Sequence, residues 1–425
     1  MEDYKALWRS SAYDAVPYTG DFPEAVLVLP ELTDGAIGQG NATRVVIRVV
    51  LSALGKSALS VTDNGGGIRN ERRLLQWAAT RATSNIHRNG HGVKKCLAKW
   101  APDYETASWS IRWRIANRNL QSTFSPFRGY APDVVIDDEG LDATSLAPSG
   151  CEVSVEFDAG ATLRHLHKPA ELCAALKELI QSRYDERTLA RTEFVVLVSD
   201  GGASIRMSSR EEAWRSFKAC VVAETGATTK IHEARHAIDG GHYTVEVYYT
   251  AVRGGLALKA EFPRYGARSM RSSRVHISLD GRVIEAAPIY RLVGTDANHN
   301  RYNGYKAFVN FVPDTEHDFA KLPVPCTTKV SMYENDAAYR TFVAQFAREF
   351  ALAEQKVAPR ARDVGHESQG SSVRGLYDAI IALKAKMDAR SVEELVAMRD
   401  AARDDPVAGM ALRIRALSSI ATLVS

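Results

Sequence analysis

Glu31 and Asp34 stand three residues apart in the stretch DFPEAVLVLPELTD, residues 21–34. Phe22, Val26, Leu29 and Leu32 recur there at helical spacing, so both carboxylates face one side of a predicted helix. A carboxylate held that way beside a phosphorylated ligand orients or deprotonates an attacking water; alone, such a pair is more often an exposed acidic face. Asp63 ends a β-branched run and meets Asn64-Gly65-Gly66-Gly67. Its carboxylate is placed to accept from an exocyclic amine such as that of adenine, and the glycines let backbone approach a base and sugar without a Cβ clash. A plain strand-to-helix turn gives the same letters. Gly90-His91-Gly92-Val93-Lys94 opens a predicted helix, and unpaired N–H groups at a helix start suit phosphate oxygens, with Lys94 adding charge. The polar stretch before it, Thr83-Ser84-Asn85-Ile86-His87-Arg88-Asn89, is long enough to fold over a ligand. A fourth stretch, Ser149-Gly150-Cys151-Glu152-Val153, opens another predicted strand.

The elements that must carry these residues form an irregular mixture, an α+β pattern rather than a regular βαβ array. Strands are expected at 44–50, 58–62, 107–116 and 151–157, with Val153, Val155 and Phe157 on one face. Pro23 suits a first helical turn after Asp21, whereas Pro30 is awkward and kinks the helix over 21–34. Further helices are expected at 70–80, 93–100 and 169–183. A second unit begins near residue 190, with strands at 193–199, 243–252, 275–285 and 305–313. It closes on a helix, 337–355, bearing Tyr339, Phe342, Phe346 and Phe350 at spacings of three and four. Residues 357–373, rich in Pro, Arg, Gly and Ser, read as a linker, and amphipathic helices follow it.

The order acidic helix, strand–DNGGG, polar loop–GHG–helix, within about 65 residues, is far more specific than any part. It resembles the Bergerat ATP-binding fold of the gyrase B, heat-shock chaperone, histidine kinase and MutL (GHKL) superfamily over residues 15–160. The second half is similar to the transducer domain of that superfamily, and most of all to the microrchidia (MORC) ATPases. Val275 to Ile284, Tyr305 to Pro313, and Pro325-Cys326-Thr327-Thr328-Lys329 carry that likeness. The resemblance implies a Bergerat-type ATPase α/β sandwich at 1–188, a transducer α/β domain at 189–356, a linker at 357–373 and a helical tail at 374–425. It implies ATP and Mg²⁺ as cofactors, Glu31 and Lys329 as catalytic residues, and an ATP site drawn from Asp34, Asp63, Gly65, Gly67, Ser84, Asn89, Gly90, His91, Gly92, Val93, Lys94 and Cys151. Lys329 sits in a polar turn where an ammonium delivers a point charge to a phosphate.

Two departures bear on chemistry. The family carries a Mg²⁺-binding Asn four residues after the helix glutamate, and here that position is Gly35, so Gln39 or Asn41 substitutes, or phosphate and water hold the ion, or turnover is slow. Cys151 stands where the family has Thr, a weak donor for a strong one. The expected function is an ATP-gated clamp that dimerises on ATP, acts on DNA without sequence preference, and hydrolyses ATP slowly. The alternatives are a nucleotide-sensing scaffold with little turnover, or a chaperone-like or mismatch-repair-like ATPase.

Composition sets the outer bounds. With 425 residues, 45% hydrophobic and 25% charged, the chain affords two or three globular domains. A formal charge of +3 does not by itself argue for nucleic acid, so that case falls to a local stretch, RYGARSMRSSR, whose Arg264, Arg268, Arg271 and Arg274 form a mobile basic loop suited to phosphates or merely a solvated one. The five cysteines, Cys96, Cys151, Cys173, Cys220 and Cys326, include no CxxC pair, which argues against structural zinc and for reduced thiols inside a cell. No run approaches the ~20 apolar residues of a membrane span. The expectation is a soluble intracellular protein, in the nucleus or nucleoid if it acts on DNA, with a partner possible for the C-terminal helices and no membrane.

Overall fold

The computed structural model describes residues 25–38, 41–67, 96, 99–100, 109–115, 118–124, 133–136, 149–163, 166, 168–224, 228–250, 256–267, 269, 272–295, 300–325, 332 and 334–365. The fold is α+β, with two mixed sheets flanked by helices.

The first sheet has eight strands. In chain order they are β1 (Arg44–Val50), β2 (Ser57–Asp63), β3 (Trp109–Ile115), β4 (Arg118–Phe124), β5 (Asp133–Ile136), β6 (Gly150–Phe157), β7 (Glu193–Ser199) and β8 (Ser204–Ser208), arranged β5-β4-β3-β6-β2-β1-β7-β8. Every pairing is antiparallel except β1 with β7, which needs the long crossover between them. β1 alternates strictly, burying Val45, Ile47 and Val49, and β2 buries Leu59 and Val61. Helix α1 (Pro30–Gly38) packs on β2 through this core with Leu32, Ala36 and Ile37. Helices α2 (Ala159–Leu163), α3 (Pro169–Arg183) and α4 (Glu186–Arg191) follow β6. Helix α3 covers β7 and β8 and also reaches the second sheet.

The second sheet comprises β9 (Thr228–Ile238), β10 (Gly241–Thr250), β11 (Arg274–Leu279), β12 (Arg282–Pro288) and β13 (Tyr305–Pro313), ordered β12-β11-β13-β10-β9. One face carries Val245, Ile277, Val309 and Phe311 under helix α8 (Ala337–Gly365), whose Tyr339, Phe342, Phe346 and Phe350 form the expected apolar stripe. Phe342 meets Tyr243 and Phe311 at ring separations of 5.5 and 5.2 Å. The other face packs Phe308 and Tyr248 against helices α5 (Phe217–Ala223) and α6 (Leu256–Glu261). The short helix α7 (Ile289–Val293) follows β12.

Several sequence expectations change. The helix expected over 21–34 is a 3-10 turn, Ala25–Val28, followed by α1 starting at Pro30. Proline lacks the N–H that continuing a helix requires, but the first turn does not use one. The strand at 193–199, assigned to the second unit, joins the first sheet beside β1. The strand expected at 275–285 is a hairpin turned by Asp280-Gly281, both at positive φ. Strand β9 was not anticipated, because its alternation is polar on both sides. The linker expected from residue 357 is helical to Gly365, through Pro359. By contact, residues Met1–Glu354 form one compact unit and Gln355–Ser425 another. Among the described residues, no helix is long and apolar enough to cross a membrane.

Candidate functional site

Asp63 is the last residue of β2 and continues the face that buries Leu59 and Val61, so strand alternation directs its carboxylate toward the helix layer. It is 9% exposed. Antiparallel pairing sets it opposite Cys151 on β6 and Val45 on β1. Its Oδ1 accepts from the Gly65 N–H at 2.8 Å, and the Cys151 N–H also donates to the carboxylate. Burial nevertheless dominates and raises its pKa from 3.8 to about 6, against the lowering effect of those two N–H groups. The surroundings that raise it also keep Cys151 a thiol, since burial first and then Asp63 and Glu152 push its pKa far up.

Asn64 holds the turn in place. Its side-chain oxygen accepts from the Thr43 and Arg44 N–H groups at 3.0 and 2.8 Å, and its amide donates to the Thr43 hydroxyl at 2.9 Å. Gly65 is buried and Gly67 lies at φ 67°, a conformation that favours glycine. At Gly150 a Cβ would stand 2.2 Å from the Asp63 carbonyl oxygen, so only glycine permits this strand approach.

Glu31 and Asp34 both lie buried on α1, at 5% and 0% exposure. Their surroundings differ. Asp34 is gripped from two sides: Arg282 of β12 donates Nε to Oδ1 at 2.8 Å and Nη2 to Oδ2 at 2.9 Å, and the Tyr184 hydroxyl donates to Oδ1 at 2.8 Å. Glu31 lies near enough to Cys96 to raise its thiol pKa, second to burial. Cys96, which follows Gly92 by four residues, is helical and lies beside α1. The fold thus sets Asp63, Gly65 and Cys151 together at one end of β2, with Gly67 two residues further on, and packs α1, which carries Glu31, on the same strand. Ser84, Asn89, Gly90, His91, Gly92, Val93, Lys94 and Lys329 lie outside the described residues, as does Gln39.

The described residues do not build a Mg²⁺ site. Gly35 offers no side-chain oxygen, Asp34 is occupied by Arg282 and Tyr184, and Asn41 is exposed at φ 50°. No group of three His, Cys, Asp or Glu residues among those described is arranged for a metal. A Cβ at Gly35 would meet nothing within 4 Å, so the missing side chain leaves room rather than a packed replacement.

The arginine-rich stretch is braced rather than mobile where it is described. Buried Lys306 donates its ammonium to the carbonyls of Tyr265, Ala267 and Ser272 at 2.5, 2.9 and 2.7 Å. Burial, then Arg274, lowers its pKa to about 7, while three acceptors match the three donors of the charged form. Arg274 turns inward to the Ala286 carbonyl at 2.6 Å, and Arg264 is exposed. Arg268 and Arg271 lie outside the described residues. A separate cavity of about 590 Å³, lined by Tyr184, Arg187, Phe217, His276 and Phe308 among others, contains none of Glu31, Asp63 and Cys151.

Sequence reasoning did not find Arg282, Tyr184 or Asn64. Asn64 was in the quoted motif and could have been read as a turn-forming side chain. Arg282 lies 248 residues from its partner, and no local pattern announces it.

No protein-family model matches the chain, and no curated protein matches it. Solved structures similar to it include the N-terminal domain of a DNA repair protein, at 14% identity over 82% of this chain and 98% of that one, with a TM-score of 0.46. The B subunit of DNA gyrase from Myxococcus xanthus is similar at 13% identity over 78% and 91%, with a TM-score of 0.40. The 43K ATPase domain of Thermus thermophilus gyrase B, in complex with an aminocoumarin, is similar at 14% identity over 82% and 92%, with a TM-score of 0.37.

Proposed function

We propose that the chain is an ATP-binding ATPase of the GHKL type that closes as a dimeric clamp, of MORC-like kind, and acts on DNA. The observation that carries the nucleotide reading is Asp63. A buried carboxylate ends an apolar strand face, is fixed by two backbone N–H groups, and is followed by glycines, which present no Cβ to an approaching base. Buried carboxylates raised in this way concentrate at functional sites. The exocyclic amine of adenine is the donor that this acceptor suits.

In this reading the helix opening at Gly92 holds the phosphates, with Asn89, Gly90, His91, Val93, Lys94 and Ser84 closing over them. Glu31 accepts the proton of the attacking water, and Lys329 brings its charge to the γ-phosphate. Binding energy for ATP then favours the closed dimer, and loss of the γ-phosphate releases it.

A second reading is favoured by the open space at Gly35: a nucleotide sensor that binds and dimerises with little turnover. Titration calorimetry with ATP, ADP and GTP, paired with light scattering on the same samples plus a non-hydrolysable ATP analogue, tests the proposal. Adenine-selective binding and an analogue-dependent dimer are expected. Absence of heat with ATP ends the nucleotide reading, and a monomer under every condition ends the clamp. Replacing Glu31 with Ala separates the two readings, since it abolishes turnover in the first and changes little in the second.

A further inference from the structure

The turn between β11 and β12 is held by α1, α3, α4 and the α3–α4 link at successive positions from Asp280 to Ile284. Arg187 donates to the Asp280 carboxylate at 2.9 Å and to its carbonyl at 3.1 Å. Gly281 lies so close to Asp185 that a Cβ would stand 2.2 Å from its Oδ2. Arg282 forks onto Asp34, and Arg183 donates to the carbonyls of Val283 and Ile284 at 3.2 and 2.7 Å. Three of these contacts belong to α3, to α4 and to Asp185 in the link between them. The fourth reaches α1, the helix that carries Glu31.

The geometry points to Arg282 as a positioning residue: its buried fork onto Asp34 is a latch through which the second sheet sets where α1 holds Glu31. The proposal rests on the ATPase reading for what Glu31 does. Its geometric content does not, because Asp34 and Glu31 sit on one helical turn, and a rigid helix moves both together.

Three features make this more than packing. The pair is sealed, with side-chain exposures of 3% for Arg282 and 0% for Asp34. The guanidinium is fixed on every side: Nε and Nη2 on Asp34, Nη1 on the Val283 carbonyl, and Cζ 5.3 Å from the centre of the Tyr184 ring. Bidentate geometry of this kind specifies direction as well as distance. A sealed ion pair is also a poor choice for stability alone, since an apolar pair of similar volume does as well or better; its value lies in specifying one arrangement. The same carboxylate accepts from Tyr184, which stands 2.6 Å from the Thr33 hydroxyl, so two residues of α1 are tied to one anchor. Any shift of the hairpin is therefore delivered to α1 rather than absorbed in a loop.

The test compares the full chain with Arg282→Met, Arg282→Lys and the paired replacement Asp34→Leu/Arg282→Met, which restores a neutral interior should Arg282→Met fail to fold. Turnover, ATP affinity and backbone hydrogen exchange are measured. The paired replacement is expected to stay folded, while kcat falls roughly tenfold to a hundredfold, as a misplaced catalytic group does. Arg282→Lys, which keeps one charged hydrogen bond, recovers part of kcat. Amides of 34–38 exchange faster in Arg282→Met or the paired variant than in Arg282→Lys, with no nucleotide present. A paired variant that is folded and turns over at the parental rate overturns the latch, and so do equal exchange rates. Failure of the parent to bind ATP is a different result: it sinks the nucleotide reading, and the nucleotide-free exchange then decides the latch alone.

Discussion

Replacing Asp63 by Asn separates a ligand-gripping aspartate from one that caps a turn. In the folded chain burial raises the carboxyl from 3.8 to about 6. That rise corresponds to about 3 kcal/mol between the protonated and ionised forms. Between pH 4 and 6 the folded chain holds a proton that the unfolded chain has released. Stability from the neutral acid is therefore complete below about pH 4 and lost as pH rises through about 6. At pH 7 the empty protein carries the full cost of an ionised, desolvated carboxylate. Asn is isosteric and neutral, and its carbonyl oxygen still accepts from the Gly65 N–H. The variant should gain up to about 3 kcal/mol at pH 7 and match the parent near pH 4. Affinity for ATP should move the other way, because Asn presents only one acceptor where the carboxylate has two. Loss of a hydrogen bond to a charged group, about 1.5–3 kcal/mol, is roughly a tenfold to hundredfold weaker Kd. Urea unfolding at both pH values and calorimetry with ATP measure the two effects on one sample. A variant that is less stable at pH 7 with parental ATP affinity would refute the reasoning, leaving Asp63 as a turn residue.

Arg282→Met alone strands the Asp34 carboxylate in the interior and should cost about 3–5 kcal/mol in denaturant unfolding, most of it regained when Asp34→Leu is added. Gly35→Asn adds a side chain where nothing lies within 4 Å; it should leave stability within about 0.5 kcal/mol and increase Mg²⁺-dependent phosphate release, and unchanged metal dependence would remove Gly35 as the reason for slow turnover. Lys306→Met leaves three buried carbonyls short of a donor, at about 1–3 kcal/mol for each one that stays unsatisfied, and should open the loop around Ala267 to limited proteolysis before the rest of the chain.

The local chemistry was legible because it is written in local rules. The β-branched run RVVIRVV and the mostly apolar run Tyr305 to Pro313 placed two strands with their observed ends, and the 3-4 spacing of four aromatics placed α8. The Asn64-Gly65-Gly66-Gly67 run after Asp63 marked a turn, and Gly67 lies there at positive φ. Where two rules competed, the sequence was ambiguous. A continuous apolar pattern ran across Pro30, and only the packing of α1 on β2 put the helix start at the proline. The Asp280-Gly281 turn hid inside a run that reads as one strand, because β-branched residues continue on both sides of it, Val275 and Ile277 before and Val283 and Ile284 after.

What the sequence alone determined is which residue types meet which backbone conformations: an aspartate at a strand end, glycines after it, two acids on one helical side. Tertiary structure decided their electrostatics and their allegiance. Asp34 and Glu31 are equivalent by spacing, yet a residue 248 positions from Asp34 in the chain binds it into an ion pair and ties α1 to the second sheet. Burial and charge pairing depend on what the fold brings from a distance, and no window of sequence contains that information.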